Sequence, residues 1–395
     1  MGAAELQRRI DDFLRGAVER REVPGVVALA ATGDGAVYQG AFGVRDLDSG
    51  AAMTLDSVFH IASMTKAVTS VAAMQLVEQG RLALDEPLPD IGEKTLSAPQ
   101  VIAGFDAAGQ PLLRPARRPI TLKHLLTHTA GFTYEVWNGD TRRYVEATGT
   151  LPMNSGRVAA LRRPLNFDPG ERWEYGINTD WVGRIVEAIS GQSIDQYMRE
   201  HIFGPLGMVD TGFLPSPEQH ARQATVHQRQ ADGSLVSQPL APPTAPEFFA
   251  GGGALYSTGP DYLRFLEALL HGGGRGDARI LKGETVALMN RNHIGDLPAG
   301  VLKTTNPEMS NDVDFFPGTA VRWGLGYMLN LEAGPNGRSA GTLSWAGAFN
   351  SYYWLDPVRR VTGTILTQIL PFADHTAVKL YGEFEHGVYA LADAV

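Results

Sequence analysis

Cysteine is absent from the whole chain, which removes disulfides, thiolate metal sites and a cysteine nucleophile from consideration. Charge is sparse: Asp, Glu, Lys and Arg supply 19% of residues, and the net charge is -9. Such a surface has no basic cluster for nucleic acid or an anionic membrane. No apolar run reaches membrane length, and charges interrupt the segment Met1 to Ile10 where a secretory signal needs an unbroken apolar core. The chain is therefore expected to be cytoplasmic. Leu6 stands where a myristoylation signal has Ser or Thr. The ten histidines form no H-E-x-x-H pair, so neither a metal nor a cofactor is expected.

What is present is a large hydrophobic fraction, 44% of 395 residues, enough for two lobes or for one domain with a long insertion. Leu6, Ile10, Phe13, Leu14 and Val18 share one helical face, so an amphipathic helix opens the chain. Gly25 to Ala30 and Ala36 to Phe42, joined by Thr32-Gly33-Asp34-Gly35, predict a hairpin. Near the other end, Trp323 to Leu331, Thr342 to Ala346, Ser351 to Leu355 and Val361 to Leu370 predict consecutive antiparallel strands. A helix from about His375 to Ala392 follows. Strands at both ends and helices at both termini imply an α+β fold with one antiparallel sheet assembled from distant segments. The middle then becomes a mostly helical insertion over 87–245, with 1–86 and 246–395 forming the sheet domain. Its Pro- and Gly-rich loops, including Leu240 to Pro246, are the kind that carry binding surface.

Lys66 is the only formally charged side chain between Ser57 and Val77. The flanking residues predict a short strand running into a helix that is buried almost all round, so this ammonium has to be desolvated. Desolvation disfavours a charged lysine and turns it into a candidate general base. Ser63, three residues earlier on the same face, lies within its reach. By itself S-x-x-K is weak, because an N-cap serine beside a solvated lysine has the same spacing. A second element is Phe167-Asp168-Pro169-Gly170-Glu171-Arg172-Trp173-Glu174-Tyr175, where a forced turn leaves Tyr175 just ahead of a helix. The third is Leu343-Ser344-Trp345-Ala346-Gly347-Ala348, a strand ending in small residues that let a substrate carbonyl approach backbone N–H groups.

These elements, with Leu125-Leu126-Thr127-His128-Thr129-Ala130-Gly131 between the first two, occur in the order seen in class C β-lactamase-like serine hydrolases. The chain most resembles the family VIII bacterial carboxylesterases. Two departures separate it from class C β-lactamases themselves. Ile177 stands two residues after the tyrosine, where they have Asn, and the nearest Asn is Asn178. Trp345-Ala346-Gly347 replaces their Lys-Thr-Gly, which favours uncharged, apolar esters. The spacing Y-G-x-x-x-D-x-x-G from Tyr175 to Gly183 also resembles the esterase branch.

The resemblance implies a β-lactamase-like fold and acyl transfer through a serine ester. Ser63 would be the nucleophile, with Lys66 and Tyr175 sharing the proton transfers, and the backbone N–H groups of Ser63 and Ala348 would form the oxyanion hole. It implies Tyr134 in the pocket, with Trp345, Gly347, Phe132 and Trp181 as further substrate contacts. His128 is expected to be a structural loop residue. The partner would be a small-molecule ester and the protein a monomer or homodimer. An α/β-hydrolase elbow at Gly337-Arg338-Ser339-Ala340-Gly341 is the rival nucleophile, but it leads into a strand where the elbow needs a helix. An acyltransferase on the same scaffold, a β-lactamase or D-peptide hydrolase, and a non-catalytic acyl-binding module are the alternatives to an esterase.

Overall fold

A computed structural model describes residues 2–241, 243 and 245–395; Met1, Pro242 and Thr244 of the segments named above lie outside the described residues. Seven strands form its main sheet: β1 (Gly25–Thr32), β2 (Gly35–Gly43), β3 (Val321–Trp323), β4 (Met328–Asn330), β5 (Leu343–Gly347), β6 (Ser351–Asp356) and β7 (Val361–Leu366). Their spatial order is β3-β4-β5-β6-β7-β1-β2, with every neighbouring pair antiparallel. The expected α+β architecture is therefore present, and the N-terminal hairpin joins the C-terminal meander through β1 and β7.

β1 is buried along nearly its whole length because helices cover both of its faces. The terminal helices α1 (Ala3–Glu19) and α5 (His375–Ala392) pack on each other and on one face. α4 (Gly259–Leu270) covers the other, and Gly259 packs closely there: a Cβ on it would fall 2.3 Å from Leu29 Cδ1. The alternation along β6 makes the two sides explicit. Tyr353 meets Tyr262 of α4, and Trp354 meets Phe384 and Tyr389 of α5.

Two expected strands are each broken. Trp323 to Leu331 is a hairpin, β3 and β4, because the chain reverses at Gly324-Leu325-Gly326, where Gly326 has φ +110° and approaches Ser70 too closely for a Cβ. Val361 to Leu370 leaves the main sheet after Leu366. Its last two residues pair in parallel with His227–Gln228 in a separate three-stranded sheet, while Thr367 and Gln368 turn their side chains onto the main chain.

Helix α2 (Thr65–Glu78) is enclosed from Thr65 to Leu76, as a stretch whose only charge before Glu78 is Lys66 predicts. It packs against α3 (Asn178–Ser190), and the Tyr262 hydroxyl of α4 donates to Met64 O at its head (3.0 Å). Among the described residues no helix is long and apolar enough to cross a membrane.

Candidate active site

Phe59–His60 pairs with Tyr256–Ser257 and delivers the chain into a tight 3-10 turn, Ala62–Met64, that runs on into α2. Ala62 adopts φ +45°, a left-handed conformation that costs a non-glycine residue roughly 1–2 kcal/mol and aims the next side chain off the sheet. That next residue is Ser63, partly exposed while its neighbours are buried.

One turn on, Lys66 is 1% exposed. Its Nζ donates to Ser63 Oγ (3.2 Å), Tyr134 OH (3.2 Å) and the main-chain oxygen of Gly252 (2.6 Å). Three oxygens therefore surround the nitrogen, enough to accept all three N–H groups of the ammonium that forms when it takes up a proton. The same nitrogen lies over the faces of Tyr175 and Tyr134, 4.7 and 5.3 Å from the ring centroids, where the ring quadrupoles favour positive charge. The lysine thus has partners from three distant parts of the chain.

Tyr175 is held from several sides. Its ring lies 4.7 Å from His128, 4.9 Å from Trp345 and 5.5 Å from Trp137, and its hydroxyl accepts a hydrogen bond from Trp345 Nε1 (3.0 Å). Trp345 therefore gives Tyr175 an uncharged donor. The Asp-Pro-Gly turn before Tyr175 is fixed by Asp168, whose carboxylate takes two hydrogen bonds from Arg114 (3.0 and 2.7 Å) and one from Arg117 N–H (2.8 Å). These partners hold the Asp168 carboxyl at about 2, below the ordinary carboxylate range.

His128 is buried, and its Nδ1 accepts from the side-chain nitrogen of Asn178 (3.0 Å) and the N–H of Gly176 (3.4 Å). Burial, reinforced by the Lys66 charge, pushes its pKa well below the ordinary histidine value, so the ring is a neutral strut between two loops. Asn178 is spent on this contact and on Phe132 O (3.0 Å). Its amide is thereby committed to the loop and not to the serine.

Strand β5 reaches the serine through Gly347, where a Cβ would lie 2.4 Å from Ile61 O. The turn that follows is closed by Asn350 N–H to Gly347 O (3.0 Å), with Asn350 left-handed at φ +60°. Ala348 sits in this turn, and its N–H has no backbone acceptor among the described residues. Gly347 is thus the residue whose missing side chain lets the strand pack on Ile61 beside the serine. Phe132 and Trp181 differ from expectation. They are 1% and 0% exposed, with ring centroids 6.2 Å apart, and belong to the core. Tyr134 is at the site, but its hydroxyl is engaged with Lys66; burial raises its pKa well above the ordinary phenol value.

A cleft of about 250 Å³ opens on Tyr175 and is walled by Trp137, Trp173, Val301 and Leu302, with Glu174 and Lys303 as its charged residues. Trp137 is fixed by its indole N–H donating to Ser310 Oγ (3.0 Å). Neither Trp137 nor the 301–303 segment is legible in the sequence, because neither belongs to a spaced motif. The same holds for Gly252, visible only as part of a three-glycine run. Ser339 lies in the loop between β4 and β5, its N–H bonded to Asp356 (2.8 Å), and no helix follows it. The elbow reading therefore has no structural support. Among the described residues no cluster of three or more His, Asp or Glu suits a metal.

A family model described as beta-lactamase matches residues 10–386. The chain belongs to the beta-lactamase family. Lovastatin esterase of Penicillium rubens is 31% identical, over 96% of this chain and 98% of that protein. Monacolin J acid methylbutanoyltransferase of Aspergillus terreus is 33% identical, over 96% and 95%. Among solved structures, a variant of simvastatin synthase from Aspergillus terreus superposes with a TM-score of 0.85 at 30% identity, over 100% of this chain and 97% of that one. The family is thus that of penicillin-binding-protein-like serine hydrolases and acyltransferases, as the motif order implies. The narrower likeness to family VIII bacterial carboxylesterases is not what these matches carry, since the relatives named are fungal proteins.

Proposed function

We propose that the protein cleaves carboxylic esters through an acyl-enzyme on Ser63. The observation that carries this reading is Lys66 Nζ on Ser63 Oγ at 3.2 Å in an almost fully enclosed pocket, with Tyr175 beside the same nitrogen. Ser63 Oγ attacks the ester carbonyl as its proton passes to the Lys66/Tyr175 pair. The oxyanion forms against the N–H groups of Ser63 and Ala348. Collapse of the tetrahedral intermediate breaks the ester C–O bond, the departing alkoxide takes a proton from Tyr175, and the acyl group stays on Ser63. Water, activated by the same pair, then releases the acid.

Two features favour a neutral ester over a β-lactam. Trp345 stands in place of a lysine that would hold a substrate carboxylate, and the Asn178 amide is committed to His128 and Phe132. Transfer of the acyl group to an alcohol is the second reading, supported by the 33% identity to a methylbutanoyltransferase.

Hydrolysis of p-nitrophenyl acetate and butyrate tests the proposal: Ser63→Ala should lose at least about a thousand-fold in kcat. Full activity in that variant would sink it, and a Ser339→Ala variant should behave as wild type. A competing alcohol and a measured ester-to-acid product ratio separate hydrolysis from transfer.

A further inference from the structure

The spacing that begins at Tyr175 includes an aspartate and a glycine, Asp180 and Gly183, to which the chemistry above gives no task. Both lie on α3, three residues apart and so on one face. That face meets a strap of glycines, Gly251-Gly252-Gly253. A Cβ on Gly252 would fall 2.6 Å from Asp180 Oδ2, and one on Gly251 would fall 3.0 Å from Thr179 O and 3.3 Å from Gly183 Cα. At Gly252 a side chain would collide with Asp180, so glycine is what permits this approach.

Asp180 is 2% exposed, and its Oδ1 accepts the N–H of Gly252 (2.9 Å). The carbonyl of the same glycine accepts Lys66 Nζ at 2.6 Å, the shortest of that nitrogen's three hydrogen bonds. On the α2 side, Thr69 Oγ1 pins the neighbouring Gly251 O (2.6 Å). The side chains of Asp180 and Lys66, both buried, therefore face each other across one residue's N–H and C=O.

The other groups around them do not supply this charge. His128 is neutral, burial raises the Tyr134 phenol well above its ordinary value, and Arg163 is already paired with Glu135 (2.6 Å). Burial raises the Asp180 carboxyl above its ordinary value, and the Lys66 charge acts in the opposite direction.

Resting on the reading of Ser63 and Lys66 given above, we propose that Asp180 is the positioning residue of Lys66. Through Gly252 it aims the carbonyl that receives the amine, and it supplies the negative charge that balances the ammonium formed when Ser63 loses its proton. The aspartate of the D-x-x-G half then has a task, holding the strap through the Gly252 N–H.

Asp180→Asn in the full chain keeps a hydrogen-bond acceptor for Gly252 and removes the charge. With p-nitrophenyl butyrate, kcat should fall about ten-fold or more with KM within about two-fold. The acidic limb of the kcat/KM profile should move to lower pH, because the ammonium loses its neighbouring anion. Asp180→Ser, smaller and also uncharged, should give the same two changes should the Asn variant not fold. Thr69→Val, which cuts the other pin without touching charge, should leave the limb in place. A ten-fold loss with an unmoved limb would reduce Asp180 to a structural tie and overturn the charge role. Wild-type kcat in Asp180→Asn alongside an inactive Ser63→Ala would overturn the proposal while leaving the nucleophile intact; an active Ser63→Ala would remove the ground for both.

Discussion

A lysine buried without a neighbouring acid in sequence has to be solvated by the protein, and Lys66 is solvated by oxygens from Ser63, Tyr134 and Gly252. Removing one of the three tests how much of the arrangement is redundant. Tyr134→Phe leaves the ring face over Nζ and deletes only the acceptor, so kcat should fall a few-fold, about 1 kcal/mol or less in the barrier, with the fold unchanged. A loss as large as that of Ser63→Ala would instead place Tyr134 in the proton transfers. Trp345→Phe deletes the indole donor to Tyr175 while keeping an aromatic wall. A fall of about ten-fold in kcat is expected from a hydrogen bond of this kind, read in steady-state kinetics. An unchanged kcat would mean that Trp345 only lines the site.

At the scale of elements, two ion pairs decide how the site is carried. Arg338 in the β4–β5 loop and Glu385 of α5 are 1% and 2% exposed and paired, with Arg338 Nε 2.8 Å from Glu385 Oε1 and a further bond to Tyr381 OH (2.8 Å). Breaking a buried pair strands a charge, so Glu385→Gln should lose about 3–5 kcal/mol in chemical denaturation. The double replacement Arg338→Met/Glu385→Leu should lose clearly less; equal losses would show that packing and not charge is at stake. The second pair, Asp168 with Arg114, fixes the turn that presents Tyr175. Because the folded carboxyl sits at about 2, below the ordinary value of about 3.9, its stabilisation is complete above about pH 4 and disappears as pH falls through about 2. Asp168→Asn should therefore be less stable than wild type at pH 6, and the gap should close in melts taken toward pH 2. The turn was legible as Asp-Pro-Gly. Its anchor was not, because Arg114 lies in a hairpin strand, Pro111–Pro115, more than fifty residues away.

For the molecule as a whole, the histidines set a common acid sensitivity. Burial pushes His60 and His124 to about 4, lowers His227 and His293, and takes His128 well below the ordinary value. Unfolding exposes them and lets them bind protons from about pH 6.5 downward, so the unfolded state gains protons that the native state refuses. The melting temperature should fall steadily between pH 7 and pH 5, above the ordinary carboxylate range, and His60→Gln should flatten that slope. A melting temperature that held constant or rose over this range would contradict the buried, neutral state of these rings.

The sequence by itself determined the elements and the reacting groups. Periodicity marked the terminal helices, the first hairpin and the buried helix, and fixed spacings marked Ser63, Lys66, Tyr175 and Trp345, because local propensity and motif spacing are properties of contiguous residues. It could not separate β3 from β4, since the alternation runs through a reversal that is imposed by the approach of Gly326 to Ser70. Tertiary structure alone decided what surrounds the lysine. Tyr134, Gly252 and Asp180 are 68, 186 and 114 residues away from it in the chain, and Phe132 and Trp181, adjacent to site residues in sequence, turn inward to the core. A buried charge is satisfied by whatever oxygens the packing of distant segments brings within about 3 Å, and no local pattern records which segments those are.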